Sequence, residues 1–381
     1  MEAQQKNAIF AGQKGRIMEY EAWYEAAVAL LKTMVAIPSV SRDEAAVADM
    51  LQSYIAARFT GEVHRTGHNL WMVDPCYDVR RPTLLLNAHI DTVRPVASWV
   101  RAPFTPTEEG EGSEKRLYGL GTNDDGASLV TLLHVFLYMT SQPEGRQYNV
   151  MFVASAEEEV SGKNGIESVL PLLPPVTVAV VGEPTDMQPA VAEKGLVVLD
   201  GLATGRSGHA ARNEGDNALY KAVEAIDRLR RYRFPQESAM LGPVKVTVTG
   251  IAAGTVHNVI PDRCTFMVDC RTTDMYSNER VVAMLQEEMA GLDVTLTPRS
   301  TRLQPSGIAE AHPLIQRLKA MGRTPFGSPT LSDQALMRFP SVKIGPGKSA
   351  RSHTADEFIY LREIAEAFPL YLNLFRGLSL V

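Results

Sequence analysis

The sequence predicts an α/β protein in two parts: a domain in which helices flank a mixed sheet, and an inserted ferredoxin-like α+β domain. Three observations support this prediction. Helical patterns alternate with short apolar strand patterns through the first half of the chain, as in α/β folds. From residue 193 to 297 the predicted order is β-α-β-β-α-β, the split ferredoxin-like unit. The chain of 381 residues is also long for one core, because domains usually have about 100–200 residues.

The first domain begins with two helices. One is predicted over residues 20–36, where apolar residues recur at helical spacing until Pro38 stops the pattern. The second is predicted over residues 43–58, with Ser41 as its N-cap and Glu44 in the capping-box position. The remaining predicted elements up to residue 188 are strands over 62–65, 69–73 and 83–88, apolar runs beginning at 149 and 178, and a helix over 127–139.

The pattern changes between residues 189 and 298, which we assign to the inserted domain. Its predicted elements are strands over 193–204, 244–251, 263–271 and 294–297, and helices over 214–231 and 278–290. Beyond it, helices over 311–322 and 356–375 and a strand over 342–344 return to the α/β pattern. Residues 1–188 and 299–381 therefore form one domain in this prediction.

Composition restricts the class of partner. A net charge of −6 without a Lys/Arg-rich block argues against nucleic acid. Three cysteines are not a disulfide framework, and Cys264 and Cys270 lie on one predicted strand, where they cannot bridge each other. No run approaches the ~20 apolar residues of a membrane span, and residues 1–17 lack a signal-peptide pattern. We expect a cytoplasmic protein that acts on a small molecule and has a loosely held N-terminus.

Acidic and histidine side chains follow several predicted strands at the point where each strand ends. His89 and Asp91 follow the strand over 83–88, and Glu183 follows the run from 178. The run from 149 leads into three consecutive acids, Glu157, Glu158 and Glu159. Active sites in open α/β sheets collect at the carboxyl ends of strands. Taken alone, the triplet is more typical of a solvated acidic turn. Because three adjacent acids repel one another and the other ligand-type residues also follow strands, we interpret the triplet as neutralised by cations.

A glycine-rich turn over residues 117–127 presents a further carboxylate, Asp124, at the start of a helix. Histidine nitrogen and carboxylate oxygen without thiolate suit zinc, cobalt or manganese. One zinc ion takes about three protein ligands, so this set, with a late histidine, is too large for one ion and indicates two. Two divalent ions carry +4 and three carboxylates supply −3, so a bound hydroxide completes neutrality; such a shared water loses its proton near neutral pH.

Five motifs make a family resemblance specific. They are His89-Ile90-Asp91-Thr92-Val93, Gly119-Leu120-Gly121-Thr122-Asn123-Asp124-Asp125, Glu158-Glu159 with Ser161-Gly162, Gly182-Glu183-Pro184-Thr185, and Ser352-His353-Thr354-Ala355-Asp356-Glu357-Phe358. Over about residues 30–375 the chain resembles the di-zinc aminoacylase/carboxypeptidase metallohydrolases, and within them the acetylornithine deacetylases and succinyl-diaminopimelate desuccinylases. One departure is Asp125-Gly126-Ala127, where many relatives have Met-Lys-Gly, so the local charge differs.

The resemblance implies five metal ligands. Asp124 would bridge two Zn²⁺ ions, for which Co²⁺ or Mn²⁺ can substitute. One ion would also bind His89 and Glu183. The other would bind Glu159 and His353.

The resemblance also implies residues that act beside the metals. Asp91 would orient the imidazole of His89. Glu158 would be the general base, taking a proton from the metal-bridging water, whose hydroxide attacks the acyl carbonyl, and later giving a proton to the leaving amine. The triplet leaves open whether Glu157 and Glu158 form the pair instead, although the Ser161-Gly162 that follows favours Glu158 and Glu159. A cis peptide bond is implied between Asp124 and Asp125.

The inserted domain offers further candidates. His209 aligns with a family histidine that reaches the active site from this domain, and Arg271 with Asn258 resembles the family's carboxylate-binding pair, since a guanidinium grips a carboxylate in two places. Ser332, farther along the chain, resembles a substrate-side loop. For each of these four residues, the alternative is an ordinary structural role or a position on the surface. Open sheet edges favour pairing with a second copy, so we expect a homodimer in which His209 of one subunit reaches the metal site of the other.

The activity expected from this resemblance is hydrolysis of the amide of an N-acyl amino acid, with acetylornithine or a close analogue of arginine biosynthesis as the leading substrate. A succinyl-diaminopimelate desuccinylase and a dipeptidase or carboxypeptidase are the alternatives, since they share the metal centre. A relative that serves only as a binding module would lack a metal ligand or the base. Every one of these residue types is present in this chain.

Overall fold

The computed structural model of the protein describes residues 20–212 and 214–380. The expectation for residues 1–17 lies outside this part of the chain. The protein forms two compact units. The first comprises Met1–Val191, Ile308–Pro325 and Met337–Val381, and the second Ala192–Gly307 with Phe326–Leu336. Residues 299–307 and 326–336, which the sequence pattern places in the first domain, therefore lie in the second unit.

The regular elements alternate along the chain. The helices are α1 (residues 20–35), α2 (Ala45–Ala56), α3 (Ala127–Ser141), α4 (Ile166–Val169), α5 (Ala218–Arg231), α6 (Asn278–Glu288), α7 (Pro313–Ala320) and α8 (Leu361–Phe375). The strands are β1 (His64–Thr66), β2 (Asn69–Val73), β3 (Thr83–His89), β4 (Thr107–Glu109), β5 (Arg116–Tyr118), β6 (Asn149–Ser155), β7 (Val178–Val181), β8 (Ala190–Glu193), β9 (Gly195–Thr204), β10 (Gly208–His209), β11 (Lys245–Ala253), β12 (Val259–Ile260), β13 (Arg263–Thr272), β14 (Val294–Pro298), β15 (Ser306–Gly307), β16 (Phe326–Ser328), β17 (Ser341–Lys343) and β18 (Phe358–Tyr360).

The first unit is built on a mixed sheet, as predicted. Its strand order is β1-β2-β6-β3-β7-β17-β8. The central pairs β3–β6, β3–β7 and β7–β17 are parallel, whereas β1–β2 and β2–β6 are antiparallel. Every residue of β3, β6 and β7 is buried, which explains why these strands are continuously apolar rather than alternating. Because the central strands are parallel, their carboxyl ends meet at one edge.

Helices of the first unit cover this sheet. Helix α3 packs against β3, β6 and α8, and residues 127–139 are all buried, as expected of a helix that is mostly apolar all round. Trp23 of α1 stacks on Phe368 of α8, with ring centroids 6.3 Å apart. The second, smaller sheet of this unit has the order β18-β5-β4.

The second unit contains the predicted ferredoxin-like domain. Its sheet has the order β11-β13-β9-β14 and is antiparallel throughout. Helices α5 and α6 pack on it, and the core between them includes Cys264 and Cys270. All three cysteines are free, so the buried thiols behave as small apolar side chains, as expected.

Two local predictions were wrong. Ser41 does not cap the second helix: α2 begins at Ala45 with Glu44 as its N-cap, and the Ser41 hydroxyl donates to Asp91 instead. The last helix begins at Leu361 rather than near Asp356, because residues 358–360 pair with β5 as a strand. In the part of the chain that the structure describes, no helix has the length and apolar character needed to cross a membrane.

Candidate active site

Metal-type ligands of the first unit converge at the carboxyl ends of its central strands. His89 is the last residue of β3, Glu158 and Glu159 follow β6, and Glu183 follows β7. His89 lies opposite Ser155, the last residue of β6, in the parallel register. Among the described residues, three groups place their ligand atoms within 4.8 Å of one another: His89–Asp124–Glu183, His89–Glu158–Glu159 and Asp124–Glu159–His353.

The group His89–Asp124–Glu183, called here the buried group, is largely withdrawn from solvent, although Glu183 is half-buried. His89 is 3% and Asp124 8% exposed, and the His89 Nε2 atom lies 3.2 Å from Asp124 Oδ1. Burial raises the pKa of Glu183 well above its ordinary value, and the negative charges of Asp124 and Asp125 add to this effect. A buried carboxyl surrounded by like charges ionises readily only when a cation joins it.

The group Asp124–Glu159–His353, called here the exposed group, opens to solvent on one side. The His353 side chain is 54% exposed, and its Nε2 atom lies 2.9 Å from Glu159 Oε2 and 3.5 Å from Asp124 Oδ2. The hydrogen bond with Glu159 raises the pKa of His353 to about 9. Asp124 belongs to both groups, so its two oxygens can face two different cations.

Among the three consecutive glutamates, Glu158 and Glu159 point into the cluster. Glu158 Oε2 lies 3.9 Å from His89 Nε2. The Glu157 carboxylate accepts instead from Asn164 Nδ2 at 3.0 Å and appears in none of the three groups among the described residues. The geometry thus places the pair Glu158 and Glu159, not Glu157 and Glu158, beside the other ligands.

Asp91 links His89 to the glutamate turn. The His89 Nδ1 atom lies 2.8 Å from the backbone carbonyl oxygen of Asp91 and 3.6 Å from its carboxylate, so the imidazole is oriented by the main chain. The Asp91 carboxylate accepts instead from the backbone N–H groups of Glu158 and Glu159, at 3.0 and 3.2 Å. It also accepts from the Ser41 hydroxyl at 2.7 Å. Asp91 therefore holds the general-base candidate as well as the histidine.

The turn that carries Asp124 is tightly built. The peptide bond between Asp124 and Asp125 is cis, which confirms that prediction. Both carboxyl oxygens of Asp125 are buried without a hydrogen-bond partner among the described residues, and burial raises the pKa of Asp125 to about 8. A Cβ atom at Gly126 would lie 2.3 Å from the Gly121 carbonyl oxygen, so residue 126 has no room for a side chain here.

The other predicted site residues lie in the second unit. His209 and Asn258 are brought together, because β10 pairs with β12 and the Ala210 N–H donates to the Asn258 carbonyl at 3.0 Å. Arg271 makes two hydrogen bonds to Asp269, at 2.9 and 3.2 Å. The Ser332 hydroxyl is buried and donates to Glu193 at 2.8 Å.

Sequence reasoning missed residues that hold the ligands. Glu44 is fully buried and accepts from the Glu157 N–H at 3.2 Å. Glu357 accepts from the backbone N–H groups of Asn123 and Asp124, and the Asn123 amide donates to the Lys348 carbonyl. The only sequence signal for Asn123 and Glu357 was their place inside two of the five motifs. For Glu44, the only signal was a helix-capping pattern, which does not indicate a role at the site.

The donor set fits divalent metal ions. It combines imidazole nitrogens with carboxylate oxygens and contains no thiolate, the combination that suits zinc, cobalt and manganese. Two groups that share one carboxylate could hold two ions, whose charge would neutralise the buried acids.

Comparison with known proteins agrees with this site. The profile of peptidase family M20/M25/M40 matches residues 85–376. A protein named provisionally as a succinyl-diaminopimelate desuccinylase of Mycobacterium tuberculosis is 28% identical over 354 residues, which cover 90% of this chain and 96% of the relative. An acetylornithine deacetylase of Salmonella arizonae is 25% identical over 372 residues, which cover 88% of this chain and 94% of the relative.

Solved structures share the fold. A tripeptidase from Staphylococcus aureus superposes with a TM-score of 0.72 at 18% identity, covering 93% of this chain and 98% of that chain. A dinuclear metal-binding peptidase of Bacillus subtilis superposes with a TM-score of 0.72 at 15% identity, covering 95% and 100% of the two chains. With ligands for metal ions gathered at the sheet edge and a family profile spanning most of its length, the chain belongs to peptidase family M20/M25/M40 and is a metallohydrolase.

Proposed function

We propose that this enzyme hydrolyses the amide bond of an N-acyl amino acid, releasing a carboxylate and a free amine. The observation that carries the proposal is the pair of ligand groups that share Asp124, with Glu158 beside them. The named activities of its relatives, a desuccinylase and a deacetylase, support an acyl group on an amino acid as the substrate class.

Two Zn²⁺ ions are the proposed cofactors, with Co²⁺ or Mn²⁺ able to substitute. Asp124 with His89 and Glu183 would hold one ion, and Asp124 with Glu159 and His353 the other. When bound, the two ions lower the pKa of a shared water and polarise the carbonyl of the amide.

The protein supplies the proton transfer. Glu158 is assigned as general base: it accepts a proton from the attacking water and later donates one to the nitrogen of the leaving amine. The backbone N–H of Glu158 is held by the Asp91 carboxylate at 3.0 Å, so the position of this base depends on Asp91. The same aspartate orients His89 through its carbonyl oxygen, which makes Asp91 a positioning residue for both.

Residues of the second unit are proposed to bind the substrate. Arg271 and Asn258 would bind the α-carboxylate, since a guanidinium can donate two parallel hydrogen bonds to it. Arg271 now pairs with Asp269, so a substrate carboxylate would compete with that aspartate. Ser332 would contact the substrate through the loop that carries it.

We also propose a homodimer in which His209 of one subunit completes the site of the other. His209 is exposed on the short strand β10, and β11 is an edge strand of its sheet, with backbone groups available for pairing. A hydrogen-bond donor placed at the developing oxyanion is worth roughly 10² to 10³ in rate.

A panel assay tests the proposed reaction. Purified protein loaded with Zn²⁺ is offered N-acetylornithine, N-succinyl-diaminopimelate and dipeptides, and release of free amine is measured. We expect the largest kcat/KM on an N-acyl amino acid. A higher kcat/KM on dipeptides would support the dipeptidase alternative. A higher kcat/KM on the N-succinyl substrate than on the N-acetyl substrate would identify the enzyme as a desuccinylase.

A further inference from the structure

One buried amide ties together two of the three segments that carry ligands of the exposed group, those of Asp124 and His353. Asn123, which is 0% exposed, precedes Asp124. Its Oδ1 atom accepts from the Lys348 N–H at 3.0 Å, and its Nδ2 atom donates to the Lys348 carbonyl at 3.1 Å. Nδ2 also lies 3.3 Å from the hydroxyl of Ser352. The amide thereby pairs with the main chain of the loop that leads to His353.

Glu357 makes a second tie on the far side of His353. This residue is 1% exposed, and its Oε1 atom accepts from the N–H groups of Asn123 and Asp124, at 2.8 and 3.0 Å. Its own carbonyl accepts from the Gly119 N–H at 3.0 Å. The backbone of the shared ligand Asp124 is therefore held by the segment that follows His353.

The site of the Asn123 amide is shaped for it. Gly347 has φ +88°, a conformation that L residues rarely adopt, and a Cβ atom there would lie 2.4 Å from Asn123 Oδ1. A side chain at Gly347 would displace the amide. The loop and Asn123 are thus matched in shape as well as in hydrogen bonding.

We propose that Asn123 and Glu357 are positioning residues that hold Asp124 and His353 at the spacing needed to share one metal ion, and so determine the affinity of that ion. The proposal rests on the two-metal site proposed above. The His353 side chain is 54% exposed, and its imidazole contacts the other two ligands of the exposed group, Glu159 and Asp124, so its position also depends on how firmly the loop that carries it is held. Without the two ties, the ion itself would have to order the loop, and this cost is subtracted from its binding free energy.

Titration of Zn²⁺ into the metal-free, full-length protein tests the inference. Partners that orient metal ligands typically change affinity about 10- to 100-fold when removed. We expect Asn123→Ala to weaken one of two Zn²⁺ ions by about 10- to 100-fold and the other by less than about twofold, the scatter of independent sites. Excess Zn²⁺ should then restore occupancy and turnover together.

Asn149→Ala is the matched control. Asn149 is 1% exposed, and it pairs with Asp78 in the same two-way manner, accepting from its N–H and donating to its carbonyl, both at 2.9 Å. It lies at the start of β6, the opposite end of the strand from the ligands. Equal Zn²⁺ affinities in the two variants, with equal losses of thermal stability, would overturn the proposal.

Two further measurements locate the effect. In a His353→Ala protein, adding Asn123→Ala should leave the affinity of the remaining ion unchanged; a tenfold loss there would mean that Asn123 acts on Asp124 alone. Ser352→Ala removes only one hydroxyl of the tie, so it tests the same direction should Asn123→Ala not fold. A wild-type protein that binds fewer than two Zn²⁺ ions would contradict the two-metal site itself. If the wild type, Asn123→Ala and Ser352→Ala all bind two ions with equal affinity, only this inference is contradicted.

Discussion

The buried group and the exposed group share Asp124 but are held in different ways. In the buried group, His89 ends β3 and Glu183 follows β7, and these neighbouring parallel strands pair directly. In the exposed group, His353 lies on the loop between β17 and β18. Strand pairing therefore presets the first group, whereas the second depends on hydrogen bonds between segments far apart in sequence. The difference teaches that two ligand groups that share one residue can be positioned by separate structural means.

The largest expected effect separates the two neighbouring glutamates. Glu158→Gln keeps the shape of the side chain but cannot accept a proton, so turnover should fall by about 10² to 10⁴ with metal content intact. Glu159→Gln should instead lose metal from the exposed group. Metal analysis beside the kinetics checks both, and equal metal loss in the two variants would contradict the assigned roles.

The next effect concerns the residue proposed to arrive from the second subunit. His209→Ala should lower turnover by roughly 10² to 10³. Mixing it with Glu158→Ala under conditions that exchange subunits creates hybrid dimers with one intact site, which should regain up to about half the wild-type activity of that composition. If subunits demonstrably exchange and no activity returns, His209 acts within its own chain or not at all.

A smaller effect concerns the number of Zn²⁺ ions bound per chain, which distinguishes the buried group from the exposed group. His353→Ala should bind one Zn²⁺ ion per chain where the wild type binds two, because the buried group keeps its ligands. Chelator added to the wild type should likewise remove one ion first. Elemental analysis after dialysis measures both. Loss of both ions from His353→Ala would show that the buried group does not bind metal independently.

The smallest effect is the pH dependence of the metal-free protein. The raised pKa values of Asp125 and Glu357, each about 8 and each caused first by burial, mean that the folded protein holds these protons more tightly than the unfolded chain. Their contribution to stability is therefore present at low pH and lost as pH rises toward 8. Glu159 raises the pKa of His353 to about 9. The protonated His353 therefore stabilises the folded protein fully below about pH 6.5, and this stabilisation is lost as pH rises through 9.

All three groups act in the same direction, so the melting temperature of the metal-free protein should fall between pH 7 and 9. We expect a decrease of at least about 3 °C, the change that about 1 kcal/mol produces in domains of 150–250 residues. Bound Zn²⁺ should reduce the decrease, because cations stabilise the ionised carboxylates. Calorimetry with and without Zn²⁺ checks this; a metal-free melting temperature that rises with pH would contradict it.

Much of this protein was determined by local sequence. The central strands are predictable because continuous apolar runs form buried parallel strands. Their ends are predictable as a site because polar residues such as His89 and Glu183 follow them directly. The order of elements in residues 193–297 likewise predicts the ferredoxin-like sheet that the second unit forms.

Tertiary structure alone decided how the ligands are held. The Asn123 amide meets Lys348 across 225 positions of the chain, and Ser41 donates to Asp91 across 50 positions, so no local pattern reports either bond. Residues 358–360 became a strand rather than a helix because β5 pairs with them. Hydrogen bonds and strand pairs of this kind depend on which segments the folded chain brings together, whereas ligand identity and apolar periodicity are properties of each segment by itself.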